Sequence, residues 1–109
     1  MTQDLPQAIE RYFAGKNAGD FATALSAFSD EAVVTDEKQT YATKEAIRAW
    51  LEETSRKYSD RSEVKAAVAD GDTTRVTALV SGNFPGSPAT LQFRFVLDDG
   101  LISRLEIGS

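Results

Sequence analysis

The stretch Leu91–Ile107, LQFRFVLDDGLISRLEI, constrains the fold more than any other part of the chain. Apolar and other residues alternate in its first half, which is the period-two pattern of a half-buried strand. Asp98-Asp99-Gly100 then predicts a three-residue hairpin loop, with Gly100 at the position that needs a positive φ. The predicted inward pairs are Leu97 with Leu101, Phe95 with Ser103, Phe93 with Leu105, and Leu91 with Ile107. The stretch therefore predicts an antiparallel ribbon whose inner face is apolar except for Ser103.

The outer face of this predicted ribbon carries charge. Arg94 lies opposite Arg104 in the predicted register, and such a like-charge pair costs stability unless an acid intervenes. Glu106 can supply that acid, and so can a carboxylate from a second subunit. The outer face is therefore a candidate for contact with another chain.

Composition limits the classes of function. The 109 residues, with 41% hydrophobic content and both charge signs, predict one globular domain spanning residues 1–109. A formal net charge of −5 leaves no basic stripe for nucleic acid. We see no signal-peptide pattern and no apolar run of membrane-spanning length, so we expect a cytoplasmic protein without membrane contact.

The sequence contains neither cysteine nor histidine. Disulfides, thiolate chemistry and zinc–sulfur sites are therefore excluded, as is a Ser-His-Asp triad. Histidine is also the commonest general base and a common transition-metal ligand. We accordingly predict no metal site and no cofactor, and any chemistry must use carboxylates, tyrosine, lysine, arginine or hydroxyl groups.

Local patterns give the order of elements. They predict a first helix capped by Thr2 or Asp4 with Pro6 in its first turn, and a second helix capped by Asp20 with Phe28 on its buried face. A break at residues 29–31, a short hairpin over residues 32–42 and a third helix from Lys44 to about Tyr58, capped by Thr43, are predicted next. Four strands follow, and the first of them is predicted to have Val64, Ala66 and Val68 on one side. Helices gathered in the first half and strands in the second predict an α+β fold, with helices on one face of a curved antiparallel sheet.

Three segments carry a family resemblance: IERYFAGKNAGDFATALSAFSDEAVVTD, the helix around IRAWLEE, and FRFVLDDGLISRLEI. Together they resemble the nuclear transport factor 2-like superfamily, and in particular its SnoaL-like and ketosteroid-isomerase-like branches. The resemblance implies a cone-shaped, cystatin-like α+β barrel in which the sheet wraps around three helices and leaves a pocket at the open end. It also implies a homodimer formed through the outer face of the sheet.

The resemblance further implies site residues. The tyrosine that donates to the developing oxyanion in ketosteroid isomerases falls on Tyr12, and the carboxylate that moves the proton falls on Asp36. The third group of that site, a protonated acid, falls on Leu91, which is a departure. SnoaL-type cyclases use a His–Asp pairing, and this chain has no histidine.

Each candidate also has a structural interpretation. Asp36 can be a general base in an apolar pocket or the first residue of the Asp36-Glu37-Lys38 turn. Tyr12 can donate to an enolate oxygen or be a core aromatic. The candidate ligand-binding residues can equally be ordinary core; they are Trp50, Leu91, Phe93, Phe95, Ser103 and Leu105.

Two hypotheses of function follow. The first is a cofactor-free isomerase, dehydratase or related lyase that acts on a small hydrophobic carbonyl compound through Asp36 and Tyr12. The second is a non-catalytic dimeric ligand-binding or assembly domain. A ligand-sized cavity with both groups on its wall favours the first hypothesis, and a cone filled by side chains favours the second.

Overall fold

The computed structural model describes residues 5–108. The described part contains three helices and six strands. The helices are α1 (Gln7–Ala18), α2 (Phe21–Leu25) and α3 (Lys44–Tyr58), and the strands are β1 (Phe28–Asp36), β2 (Gln39–Tyr41), β3 (Arg61–Asp70), β4 (Thr73–Ser81), β5 (Ala89–Asp98) and β6 (Leu101–Gly108). None of the described helices is long and apolar enough to cross a membrane.

The ends of the helices follow local chemistry. The Asp20 side chain accepts a hydrogen bond from the Thr23 backbone N–H at the start of α2, and Thr43 does the same for Ala46 at the start of α3, as predicted. Helix α1 begins at Gln7, so Pro6, which was predicted in the first turn, is instead the N-cap residue, and its ring cannot accept a capping hydrogen bond. The predicted caps Thr2 and Asp4 lie outside the described residues. Helix α1 ends at Gly19, whose φ of 73° is the left-handed conformation that glycine adopts without strain.

Strand β1 begins earlier than the sequence predicted. Phe28 is its first residue rather than part of α2, and Ser29-Asp30-Glu31, predicted as a break, lies within the strand. Phe28 is nevertheless buried, as predicted. A helix that lasts little more than one turn has too few residues for helical periodicity to define its end, so the prediction extended it too far.

The six strands form one sheet in the order β2-β1-β6-β5-β4-β3. The α+β class and the three helices associated with a curved sheet are confirmed. One detail of the predicted antiparallel sheet is wrong, because β1 pairs with β6 in parallel; every other neighbouring pair is antiparallel. The sheet also stays unclosed, with β2 and β3 as its two edges. The β1–β6 pairing joins the first and last of the described strands, and no local pattern encodes so distant a partner.

The β5–β6 hairpin differs from its predicted register. Its loop has two residues, Asp99 and Gly100, with φ values of 54° and 79°, and Asp98 pairs with Leu101. A β-bulge follows, since Val96 pairs with Arg104 but Leu97 pairs with Ile102, which leaves Ser103 as the extra residue. Positive φ at both loop residues matches the right-handed twist of the strands, which favours the tighter turn.

The bulge changes which residues of β6 face the core. Ile102 was predicted to face outward and is fully buried, whereas Leu105 pairs with Phe95 rather than with Phe93. Phe93 pairs instead with Ile107. Because side chains alternate with period two, one extra residue is enough to return the rest of a strand to the opposite face.

The same register removes the predicted clash of charges on the outer face. Arg94 lies opposite Glu106, with Arg94 Nη1 at 3.2 Å from Glu106 Oε1. Arg104 Nη1 approaches the other oxygen of Glu106 at 3.8 Å. The Glu106 carboxylate therefore pairs with two guanidinium groups of the same chain. Because all three side chains remain exposed, the gain in stability is small.

A second bulge lies in β3, between Val64 and Ala66. The prediction placed Val64, Ala66 and Val68 on one face, which is wrong beyond the bulge: Ala67 packs against the core, whereas Val68 is 66% exposed. Both errors of register therefore have the same physical cause, an inserted residue that sequence alternation does not reveal.

Five aromatic rings form the centre of the core between α1 and the sheet. Tyr12 contacts the rings of Phe13, Phe28 and Phe95 edge to face, with centroids 5.0 to 5.8 Å apart. Phe13 makes the same type of contact with Phe93 at 5.2 Å. Edge-to-face pairs of this kind stabilise the core beyond the burial of their area. They also fix the position of the Tyr12 ring, and thereby of its hydroxyl group.

Candidate functional site

A cavity of about 510 Å³ lies against α1, α3 and the inner face of the sheet. Its volume is in the range of small-molecule sites, roughly 300–1,000 Å³. The wall combines apolar and aromatic side chains with a few polar ones. The lining residues are Tyr12, Lys16, Asp36, Glu37, Trp50, Thr54, Tyr58, Asp60, Ser62, Val80, Phe84, Pro85, Ala89, Leu91, Phe93 and Ile107.

Asp36 is the last residue of β1 and is hydrogen-bonded by Trp50 of α3. The indole Nε1–H donates to Asp36 Oδ2 over 3.0 Å. The pKa of the Asp36 carboxyl is raised, mainly because the group is partly buried. The hydrogen bond from Trp50 and the positive charge of Lys16 lower this pKa, whereas the negative charges of Glu37 and Asp60 raise it. A carboxylate that is partly desolvated and held by a neutral donor is suited to accept a proton.

Tyr12 lies on the buried face of α1, and its hydroxyl oxygen is buried without a hydrogen-bond partner among the described residues. Burial is the main reason why the pKa of Tyr12 is raised well above its ordinary value, and the charges of Asp60 and Asp36 add to the rise. The phenol therefore stays protonated and can donate. A buried O–H without a hydrogen-bond partner costs free energy, which a ligand acceptor would recover.

Lys16 lies one helical turn after Tyr12 on the same face of α1 and forms an ion pair with Asp60 Oδ2. The side chains of Lys16 and Asp60 are only 5% and 12% exposed. Asp60 precedes β3 directly and follows Ser59, whose left-handed backbone ends α3. Asp60 Oδ1, the other carboxylate oxygen, is buried and has no hydrogen-bond partner among the described residues.

Asn17 fixes the strand next to this ion pair. Its side-chain Nδ2 donates to the Ser62 carbonyl over 2.8 Å, and its Oδ1 accepts from the Ser62 N–H over 2.9 Å. The amide thereby satisfies both backbone groups of a residue on an edge strand, much as a neighbouring strand would. The Ser62 hydroxyl remains, like the Tyr12 hydroxyl, buried and unpartnered within residues 5–108.

The connection between β4 and β5 forms another part of the wall. Asn83 N–H donates to the Tyr58 carbonyl over 2.6 Å, and the Phe84 ring meets the Tyr58 ring edge to face at 5.9 Å. Gly82 allows this approach, because a Cβ atom there would lie 2.7 Å from the Tyr58 carbonyl oxygen. This connection therefore holds Phe84 and Pro85 against the end of α3, where both border the cavity.

The structure brings together five of the eight predicted site residues. Tyr12, Asp36, Trp50, Leu91 and Phe93 all border the cavity. The other three lie elsewhere. Phe95 and Leu105 are fully buried in the core, and Ser103 donates from the bulge of β6 to the Val96 carbonyl over 3.1 Å. The inner face of the β5–β6 hairpin therefore has two parts. Phe95 and Leu105 lie in the core, whereas Leu91 and Phe93 line the cavity.

Sequence reasoning missed several polar residues of the cavity, among them Lys16, Asp60 and Ser62. The one available signal is Lys16, whose spacing from Tyr12 places a cation on the apolar face of a helix, where a lone charge is costly. Asp60 and Ser62 follow α3, and no pattern in the sequence marks them as site residues. Within residues 5–108, no group of three or more acidic side chains is placed to hold a metal ion.

Comparisons with known proteins agree with this architecture. The sequence profile of the SnoaL-like domain matches residues 9–105. A search of curated proteins finds no significant match. Among solved structures, a candidate polyketide cyclase from Sinorhizobium meliloti is 38% identical, with a TM-score of 0.94 over 96% of both chains.

More distant structures share the fold alone. A hypothetical protein with a ketosteroid-isomerase-like fold from Catenulispora acidiphila, solved in complex with trimethylamine, has a TM-score of 0.85 at 15% identity, over 97% of this chain and 87% of its own. A nuclear transport factor 2-like protein of unknown function from Cytophaga hutchinsonii has a TM-score of 0.81 at 13% identity, over 99% and 91%. This chain therefore belongs to the SnoaL-like domain family, and it shares the fold of nuclear transport factor 2-like proteins.

Proposed function

We propose that this protein binds a small hydrophobic carbonyl compound and catalyses proton transfer at the carbon next to the carbonyl group. One observation carries the proposal: Asp36 and Tyr12 border the same cavity, which has room for a ligand. The S. meliloti relative, described as a candidate polyketide cyclase, makes a carbonyl-rich hydrophobic substrate a reasonable class. A cyclase mechanism through a His–Asp pair is not available, because the chain has no histidine.

The proposed reaction begins with Asp36 as the base. The C–H bond next to the carbonyl breaks, the proton moves to Asp36 Oδ1, and the electron pair forms the C=C bond of an enolate. Trp50 holds Oδ2 and leaves Oδ1 for the proton. The Tyr12 hydroxyl donates to the enolate oxygen as negative charge develops there. Transfer of the proton from Asp36 to another carbon gives isomerisation. Transfer of the same proton to a β-hydroxyl group, whose C–O bond breaks as the enolate electrons form the new C=C bond, releases water and gives dehydration.

The test is deuterium exchange into a model ketone. β-Tetralone, cyclohexanone and acetophenone are incubated with the protein in D2O, and loss of the α-proton signals is followed by NMR. We expect acceleration with at least one ketone, a fall of about 10²–10⁴ in Asp36→Asn, and a fall of about 10²–10³ in Tyr12→Phe. Asp98→Asn, an exposed aspartate at the β5–β6 hairpin, is the matched control and should leave the rate unchanged.

Undiminished exchange in Asp36→Asn would remove Asp36 from the mechanism. Tyr12→Phe should stay folded, because it deletes a buried hydroxyl that has no partner. If the protein binds the ketones in calorimetry but accelerates exchange of none, the alternative function, a non-catalytic ligand-binding domain, is supported instead.

We also propose a homodimer formed through the outer face of the sheet, as the resemblance implies. Arg75 on β4 lies directly opposite Arg94 on β5, and this excess of positive charge would be balanced by a carboxylate from a second copy. Light scattering after gel filtration should give twice the chain mass, and Arg75→Glu should reduce it. A monomer at all concentrations would contradict the proposal.

A further inference from the structure

The cavity contains polar groups that the proposed proton transfer does not use. They lie at what we call the ion-pair end, defined by Lys16, Asp60 and Ser62. The Lys16 ammonium is bound to Asp60 Oδ2, and Asn17 holds both backbone groups of Ser62. Two polar atoms remain buried and unpartnered in the described chain, Asp60 Oδ1 and Ser62 Oγ. Ser62 is itself only 5% exposed, so bulk water does not satisfy its hydroxyl.

Asp60 and Ser62 present these atoms toward one region. Asp60 directly precedes β3 and is half-buried, Arg61 is exposed, and Ser62 is buried, so this alternation places the side chains of Asp60 and Ser62 on the same, inner side of the chain. Both border the cavity. Burying such atoms without partners costs about 1–3 kcal/mol each, and proteins usually avoid it. A ligand group that pairs with them would recover that cost.

The chemistry of the two atoms selects the ligand group. Asp60 Oδ1 only accepts hydrogen bonds, whereas Ser62 Oγ can donate and accept. A ligand carbonyl would satisfy Ser62 and leave Asp60 Oδ1 unpaired. An anion would be repelled by Asp60 and Asp36, and a cation would meet the Lys16 ammonium. A neutral hydroxyl group suits both atoms, because it donates to Asp60 Oδ1 and accepts from Ser62 Oγ.

We infer that the ion-pair end binds a hydroxyl group of the ligand, so that the substrate class is a hydroxylated hydrophobic carbonyl compound. The carbonyl part of this inference rests on the proposed function, whereas the hydroxyl part rests on Asp60 and Ser62 alone. The ion-pair end is near the Tyr12 hydroxyl, since Tyr12 and Lys16 are one helical turn apart. The hydroxyl group of the substrate is therefore expected within a few bonds of its carbonyl.

The test compares hydroxyl and methyl groups of similar size. Calorimetry measures the affinity for hydroxy-β-tetralones, with the hydroxyl at different ring positions, and for the corresponding methyl-β-tetralones. We expect at least one hydroxyl compound to bind about tenfold or more tightly than its methyl counterpart, because one hydrogen bond goes to a charged group. Ser62→Ala should reduce this ratio about threefold to tenfold, while Ser81→Ala, an exposed serine on the neighbouring strand, should leave it unchanged.

The double variant Lys16→Met/Asp60→Asn removes both charges together and should bring the ratio close to one. Ser62→Ala keeps the ion pair intact and is expected to fold, so the test does not depend on the double variant. A wild-type ratio near one at every ring position would overturn the inference, since the unpartnered atoms would then be served by water. An unchanged ratio in Ser62→Ala would overturn it as well. Both results concern binding alone, so they differ from a failure of Asp36 in the exchange assay.

Discussion

The cavity contains two carboxylates, and their partners make them different. Asp36 accepts a hydrogen bond from the neutral indole of Trp50, whereas Asp60 is bound by the ammonium of Lys16. Burial raises the pKa of Asp36, which prepares it to take a proton. The charge of Asp60 is instead balanced within the protein, and its second oxygen remains available for a hydrogen bond. The donor beside each carboxylate therefore decides whether that carboxylate is suited to chemistry or to binding.

The two carboxylates also differ in how the backbone positions them. Asp36 ends β1 and pairs with Gln39 across a tight turn, where Glu37 and Lys38 both have positive φ. Asp60 follows the left-handed Ser59 at the end of α3 and precedes β3, next to the Asn17–Ser62 contact. Each acid therefore lies at an end of a strand, but only Asp60 is bound directly by a side chain of α1. Variants can disturb one end of the cavity and leave the other intact.

The largest expected effect comes from breaking the ion pair. Lys16→Met leaves Asp60 as a buried carboxylate without its cation, and such a change typically costs about 3–5 kcal/mol of unfolding free energy. Urea unfolding measures it, with Lys38→Met, an exposed lysine, as the control. The double variant Lys16→Met/Asp60→Leu should recover most of the loss. If the single and double variants are equally destabilised, packing rather than charge explains the role of Lys16.

The next effect concerns the support of the ion-pair end. Asn17→Ala removes two hydrogen bonds from the backbone of Ser62 and should lower the unfolding free energy by about 2 kcal/mol. Asn83→Ala, at an exposed asparagine, should cost little. The exchange rate at Asp36 should change much less than the preference for hydroxylated ketones. If the exchange rate and the preference for hydroxylated ketones fall equally, Asp36 and the ion-pair end are not independent.

A smaller change is expected when the neutral donor is removed. Trp50→Phe deletes the N–H that lowers the pKa of Asp36, so that pKa should rise further. A base must be deprotonated to act, and the acid limb of the exchange rate should therefore move to higher pH. The pH dependence of β-tetralone exchange measures this shift. A limb that stays in place or moves to lower pH contradicts the proposed role of the indole.

The smallest effect is on stability in Asp36→Asn. The folded protein raises the pKa of Asp36, so between the unfolded and folded pKa values the folded state binds more protons, and stability falls as pH rises through that interval. Asparagine does not ionise and can still accept from Trp50. The variant should match the wild type in acid and melt at a slightly higher temperature at neutral pH. A lower melting temperature at neutral pH would show that the charged form is stabilised by the fold.

Much of the fold could be predicted from local patterns. The caps Asp20 and Thr43 and the bounds of α3 follow from side chains within four residues of each other, which sequence displays directly. Register could not be predicted in the same way. The bulges at Ser103 and near Lys65 each insert one residue, and alternation before them gives no warning. Ile102 therefore faces the core and Val68 faces solvent, contrary to prediction.

The candidate site shows the same division. Tyr12 and Asp36 could be named because a family resemblance assigned a role to each position. Phe95, Leu105 and Ser103 were grouped with them because they share a predicted strand face, yet the structure places them away from the cavity. Asp60 and Ser62 gave no signal, since an acid and a serine after a helix usually mark a turn. Their importance depends on Lys16 and Asn17, which are 44 and 45 residues away in sequence.

Composition and neighbours along the chain were enough to predict the α+β class, α3, most of the strands and a chemistry without histidine or cysteine, because these features depend on local interactions. The tertiary structure decided which carboxylate received a neutral donor and which received a cation. It also decided that β6 would pair with β1 in parallel and that the β5–β6 hairpin would line only part of the cavity. Those outcomes depend on contacts between distant segments, whose energies are set by packing and burial rather than by any local pattern.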